Sequence, residues 1–297
     1  MHLIRISFIS VFIIVSIYLG LSWAVADQSL IAKPRDLTST PSEFGINFET
    51  VAFHPLTEPD IVLRGWWMPH DDSKATVIWV HGLDSARDGR IEFLATLHSK
   101  GYSILTFDLR GHGESDKVAI GGGAYEHKDV QGAINLAKEM DPGKPIMMVG
   151  ISFGAALVIL TADEDPSIHG VIADSSFASI PELIREEVSA RTPIPEWGAA
   201  ILKPGVIFAA KWFKNADISK VSPELEASKL PFPLALIHCK ASTRVPFTHA
   251  QRILKNAPEG TSTLFIDGCE HAEGYDVDKS TYVNFVTEYL ESQLSRN

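Results

Sequence analysis

Apolar and polar positions divide the chain into three stretches of different character. Residues 6–26 carry no charge and are apolar all round, with Arg5 just before them. A bilayer-crossing helix needs about 20 apolar residues, so this run is just long enough. Residues 27–44 hold Pro34 and Pro41, show no period, and read as a linker or tether. From residue 45 to 297 the pattern is that of a folded domain. Residues 47–53 and 61–68 have the composition of two strands joined by a turn. Beyond them, short apolar runs at 75–80, 102–107, 146–149, 171–173, 234–237 and 263–266 alternate with helical spacing at 89–100, 126–140, 155–162, 249–256 and 281–294. Strands that are apolar along their whole length, separated by helices, predict an α/β fold with a mostly parallel sheet covered on both faces.

One stretch breaks the alternation. More than fifty residues between Asp174 and Pro231 contain no strand-like run, and Trp197, Phe208, Trp212 and Phe213 fall within them. Helices near 181–190 and 198–213 are expected there, forming a lid of about 175–230. Such an insertion lies over the C-terminal edge of the sheet, where open α/β folds bind ligands. Most of its aromatics are expected to pack the lid's own small core, with one or two turned towards substrate.

Candidate chemistry collects at the strand ends. The run 147–149 leads into Gly150-Ile151-Ser152-Phe153-Gly154, followed by small helix-forming residues. Glycines on either side of a serine permit the strained strand–turn–helix bend that lifts a nucleophilic Oγ above the sheet. His81-Gly82-Leu83 follows the strand 75–80 directly. Its glycine lets the backbone approach closely, so the amides of Leu83 and Phe153 are candidates for an oxyanion hole, while His81 is expected to brace the turn. His271, after the last strand, is the histidine of the eleven whose chain order and strand context suit a general base for Ser152.

These motifs resemble those of the α/β-hydrolase superfamily, and the N-terminal segment is similar to that of its bacterial, membrane-anchored, single-domain serine hydrolases. The resemblance is carried by His81-Gly82, by Phe107-Asp108-Leu109-Arg110-Gly111-His112-Gly113, by the elbow, by Asp174-Ser175-Ser176-Phe177-Ala178 and by His271-Ala272-Glu273-Gly274. It implies an α/β-hydrolase fold with a helical lid. It also implies cleavage of an ester, thioester or amide of a small-molecule acyl substrate through an acyl-serine, without metal or organic cofactor.

One position departs from the pattern. Members of the superfamily carry the acid of the triad in a run like His-Gly-x-x-Asp-x-x-Val-Pro, which here reads His238-Cys239-Lys240-Ala241-Ser242-Thr243-Arg244-Val245-Pro246. Ser242 stands where the acid should be. A hydroxyl can hold the imidazole tautomer but supplies no charge to stabilise imidazolium, and the loss of that charge costs about 10⁴ in kcat in the Asp→Asn case of a serine protease. Three readings stay open. Another carboxylate substitutes, with Asp174 at the end of the preceding strand as the first candidate and Glu273 a weaker one. Alternatively the enzyme is a slow dyad with Ser242 or water orienting His271, or the scaffold is catalytically retired and binds a ligand.

The remaining composition narrows the partners. A net charge of −11 with no Lys/Arg cluster argues against nucleic acid. Ala24-Val25-Ala26 before Asp27 also fits a signal-peptidase site, so residues 1–26 are either a transmembrane anchor or a cleaved signal. Arg5 favours export of the bulk of the chain, whereas Lys33 and Arg35 blunt that asymmetry. The expected location is membrane-associated on the extracytoplasmic side, or secreted or periplasmic after cleavage; the oligomeric state is open. Cys239 and Cys269 fall just past the ends of two expected neighbouring strands, within reach of a disulfide, with two buried thiols as the alternative.

Overall fold

The computed structural model of the chain describes residues 2–33, 35–191 and 194–296. The strands are β1 (Glu49–Phe53), β2 (Leu63–Met68), β3 (Thr76–Val80), β4 (Ser103–Phe107), β5 (Ile146–Ile151), β6 (Ile168–Asp174), β7 (Ala235–Cys239) and β8 (Ser262–Ile266). They form one sheet in the order β1-β2-β4-β3-β5-β6-β7-β8. β1, β2 and β4 pair antiparallel, and every other pair is parallel. The hairpin at one edge and the parallel remainder are the two kinds of strand that alternating and continuous apolar patterns predict.

Between the strands run α2 (Ile91–Ser99), α3 (His127–Met140), α4 (Phe153–Thr161) and α8 (Phe247–Asn256), and after β8 come the single turn α9 (Gly274–Val277) and α10 (Lys279–Leu294). One face of the sheet is covered by α3, α4 and α8 through residues such as Val130, Ile134, Leu157 and Ile253. The other is covered by α2 and α10 through Phe93, Leu97, Tyr282, Val286 and Tyr289. Both faces of β3 and β4 are therefore buried, which is why their side chains show no polar alternation. Helix α4 begins at Phe153, two residues before the apolar spacing places it, because the elbow turns straight into helix.

The segment between β6 and β7, expected to form a lid, contains α5 (Ile180–Arg191), α6 (Glu196–Phe213) and the short α7 (Pro223–Ala227). A further helix, α1 (His2–Ser29), precedes the domain, and its segment Ile9–Ser29 is long and apolar enough to cross a membrane. The C-terminal end of α1 is not free of the folded unit. Ser22, Ala26 and Leu30 are buried, and Ala26 and Leu30 share a small third core with Val206, Ala209 and Ala210 of α6. Gly205 permits this crossing: a Cβ there would sit 2.2 Å from Ser22 Oγ. Tyr18 Oη also donates to the carbonyl of Ile201 at 3.0 Å.

The stretch after α1 differs from a loose tether as well. Arg35 Nη1 and the Thr38 amide both donate to Asp88 Oδ2, at 3.1 and 2.7 Å, and the Lys33 amide donates to Asp84 at 2.7 Å. The Asp88 carboxylate is buried and requires such partners. Those partners come from the preceding segment, so polar satisfaction of the domain ties the segment down.

Helix α4 lies so close to β3 that a Cβ on Gly154 would stand 2.1 Å from the Val80 carbonyl oxygen. Gly154→Ala is expected to lower stability by about 3 kcal/mol, measured by urea unfolding, because neither the strand carbonyl nor the helix can retreat within a packed core.

Candidate active site

β5 ends in Ile151, and Ser152 occupies the bend before α4 with φ 55° and ψ −115°, a left-handed conformation that a side chain rarely adopts. The amide of Ser152 donates to the carbonyl of Asp174 on β6 at 2.7 Å, which holds the bend in place. A Cβ at Gly150 would meet the Gly154 carbonyl at 2.3 Å, so the strand and the helix fold back on each other only with glycine at both positions. Gly82, after β3, brings its α-carbon against the serine, since a Cβ there would lie 3.2 Å from Ser152 Cβ.

Ser152 Oγ and His271 Nε2 are 2.7 Å apart, and on the other side of the ring His271 Nδ1 stands 3.3 Å from Ser242 Oγ. With Nδ1 protonated, the imidazole donates to Ser242 and accepts from Ser152. Ser242 Oγ also accepts from the Val245 amide at 3.3 Å, which fixes the hydroxyl within its loop. The structure thus brings Ser152, His271 and Ser242 together, with the serine in the usual acid position facing Nδ1.

Asp174 does not join them. One of its oxygens accepts from Ser175 Oγ at 2.9 Å and the other from Tyr282 Oη on α10 at 3.0 Å. The expectation that Asp174 orients His271 is corrected accordingly. Its strand end presents the backbone carbonyl to Ser152 and turns the carboxylate into the core beneath α10, where burial pushes the carboxyl up to about 6. Glu273 is likewise engaged in its own turn, accepting from the Glu270 amide at 3.0 Å.

Leu83 lines the space in front of Ser152 on one side and Phe153 on the other. The Phe153 amide opens α4 and so has no intrahelical acceptor. His81 is fully buried between the Gly82 carbonyl, 2.7 Å from Nδ1, and the Leu109 amide, 3.0 Å from Nε2. Burial drives its pKa down to about 3, so it remains a neutral brace between two loops.

Cys239 and Cys269 are joined as a disulfide with their Cα atoms 5.3 Å apart. The parallel pairing of β7 and β8 places Cys239 opposite Ile266, so the bridge links the loop bearing Ser242 to the loop bearing His271.

The fold and these motifs have counterparts among known proteins. Residues 71–206 match the Hydrolase_4 family, serine aminopeptidase S33. The esterase Pf2001 of Pyrococcus furiosus superposes with a TM-score of 0.73 at 22% identity, covering 89% of this chain and 100% of the other. Est1E of Butyrivibrio proteoclasticus, solved with ferulic acid, gives 0.60 at 19% identity, covering 78% and 96%. The chain has the α/β-hydrolase fold. The uncharacterized protein YqkD of Bacillus subtilis is 25% identical to this chain over 270 residues, 90% of this chain and 87% of YqkD. A monoglyceride lipase homolog of Monkeypox virus is 33% identical over 113 residues, 37% of this chain and 40% of that protein.

The electrostatics of this candidate site are unusual. His271 is held down to about 4, first by burial and then by the nearby positive charge of Arg244. Arg244 lies two residues after Ser242, and sequence reasoning passed over it although a cation in the acid loop was visible there. Among the described residues, no carboxylate offsets the ring at Nδ1.

Two measurements probe this arrangement. A histidine NMR titration is expected to show His271 neutral well below its usual range, protonating near pH 4, and Arg244→Gln is expected to move that titration upward because it removes a repelling charge. Replacing Cys239 with Ser opens a cross-link spanning 30 residues. That change is expected to cost about 3 kcal/mol in denaturant unfolding.

Proposed function

We propose that the protein is a serine hydrolase that cleaves carboxylic esters or thioesters through an acyl-serine, using Ser152, His271 and Ser242. The observation that carries this reading is the 2.7 Å contact between Ser152 Oγ and His271 Nε2 on a strained elbow. A scaffold retained only for binding has no need of that strain, which costs about 1–3 kcal/mol.

In the proposed sequence Ser152 Oγ attacks the acyl carbon while His271 Nε2 takes its proton. The carbonyl oxygen becomes an oxyanion, held by the amides of Leu83 and Phe153. His271 then protonates the departing alcohol or thiol, and a water repeats the cycle to release the acid. Ser242 keeps the ring in the tautomer with Nδ1 protonated. It lends no charge to the imidazolium, and Arg244 opposes that cation. Turnover is therefore slow for a hydrolase of this fold. The lack of a carboxylate at Nδ1 also favours a second reading, a retired enzyme that binds an acyl compound.

A fluorescent fluorophosphonate separates the two. The serine-hydrolase reading expects labelling that disappears in Ser152→Ala; a folded wild-type protein that stays unlabelled sinks it. On the same reading Ser242→Asp supplies the missing charge, so kcat for a test ester is expected to rise at least about tenfold. The same change raises the His271 pKa. Activity is lost as pH falls through that pKa, so the acid limb of kcat/KM moves from near pH 4 in the wild type to higher pH in Ser242→Asp.

A further inference from the structure

Two cavities meet at Ser152, and they differ in kind. One, of about 390 Å³, is lined by Ser85, Arg90, His271 and Glu273. The other, of about 660 Å³, runs beneath the lid and is lined by aliphatic groups such as Leu21 and Val25 of α1, Ile184 of α5 and Val206 of α6. Leu83, Ser152 and Arg244 are the residues that line both. An ester bound at Ser152 must divide there, with its acyl part to one side and its leaving group to the other.

The division matches the chemistry of the walls. The larger cavity is mostly apolar and lined on one side by the last turns of α1, where Ala26 is buried against α6. Its outer surface is apolar too. Trp197, Ile201, Phe208, Trp212 and Phe213 of α6 are exposed, and α6 packs against α1, whose exposed apolar segment Ile9–Ser29 is long enough to cross a bilayer. Large exposed apolar side chains on a helix packed against a candidate span suit contact with lipid. At the junction of the two cavities Arg244 has no hydrogen-bond or ion-pair partner among the described residues. A half-buried guanidinium without an anion is costly unless a ligand supplies one.

The geometry points to a substrate that is an anionic single-chain amphiphile: an ester whose hydrocarbon chain enters from the bilayer between α1 and α6, and whose leaving group carries an anion received by Arg244. This rests on the serine-hydrolase reading above and adds the substrate class. Helix α1 is on this account a retained wall of the acyl site. Hydrolysis adds water across the ester: the acyl carbon–oxygen bond breaks, the fatty acid stays in the chain cavity, and the anionic alcohol leaves with a proton from His271.

The test uses the full-length protein, purified from membranes in mild detergent, with two matched series of esters. One is neutral, the monoacylglycerols; the other is anionic, the 1-acyl-glycerol 3-phosphates; each runs from butyryl to palmitoyl. The expected kcat/KM rises about fourfold per methylene until the cavity is full. The phosphate series is expected to exceed the neutral one by about ten- to a hundredfold. Val206→Trp, which fills the chain cavity, is expected to flatten the rise with chain length. Arg244→Gln is expected to bring the two series together, and Arg244→Lys to restore part of the difference. A flat chain-length profile in the wild type, or a ratio between series unmoved by Arg244→Gln, overturns the inference even if both variants fold poorly or well. So does an intact mass lacking residues 1–26. If butyryl esters turn over and Ser152 labels with fluorophosphonate while the profile is flat, only this inference falls. If nothing turns over and Ser152 does not label, the serine-hydrolase reading falls with it.

Discussion

The approach of α4 to β3 across Gly150 and Gly154 is the constraint on which the rest of the site depends. A side chain at Gly154 would collide with the backbone of β3, and one at Gly150 with the first turn of α4. With both in place, the chain can reverse from strand to helix in one residue, and that residue, Ser152, is left in a left-handed conformation with its hydroxyl clear of the sheet. The bend is then locked from the neighbouring strand by the Asp174 carbonyl. Gly82 closes against the serine from the other side, so the loops after β3, β5 and β6 converge on one point.

Around that point the charges are arranged in an unfamiliar way. The buried carboxylates Asp88, Asp108 and Asp129 are committed to arginines and amides that hold loops together. Asp174 is committed to Tyr282. The imidazole of His271 is left between two serine hydroxyls, desolvated and close to Arg244, which keeps it neutral over a wide pH range. A neutral imidazole is always ready to accept a proton, yet it is a weak base, and the imidazolium it must become is poorly supported. The disulfide fits this economy, because without a strong ion pair across the ring the two loops that flank it are held by a covalent bond.

Helices α1 and α6 give the domain a second surface that is not solvent-like. Their crossing depends on Gly205, where the Ser22 and Tyr18 side chains of α1 occupy the space a Cβ would need, and the cavity beneath is lined by α1 on one side. The same apolar helix is thus exposed along most of its length and packed against α6 at its end.

Much of this is written in local sequence. Continuous apolar runs give strands buried on both faces, Gly-x-Ser-x-Gly gives a bend, and His271 and Ser242 occupy loop positions set by chain order, so strand register alone brings them to Ser152. What local pattern does not contain is direction across space. Whether Asp174 turns towards His271 or towards Tyr282 is decided by which face of β6 packs against α10. Whether residues 27–44 hang free is decided by the buried carboxylate of Asp88, which lies far along the chain and draws Arg35 and Thr38 to it. The end of α1 reads as one more turn of an apolar span, and only the close approach allowed by Gly205 makes it a wall of the cavity. Periodicity reports how apolar a face is; tertiary packing decides what that face meets.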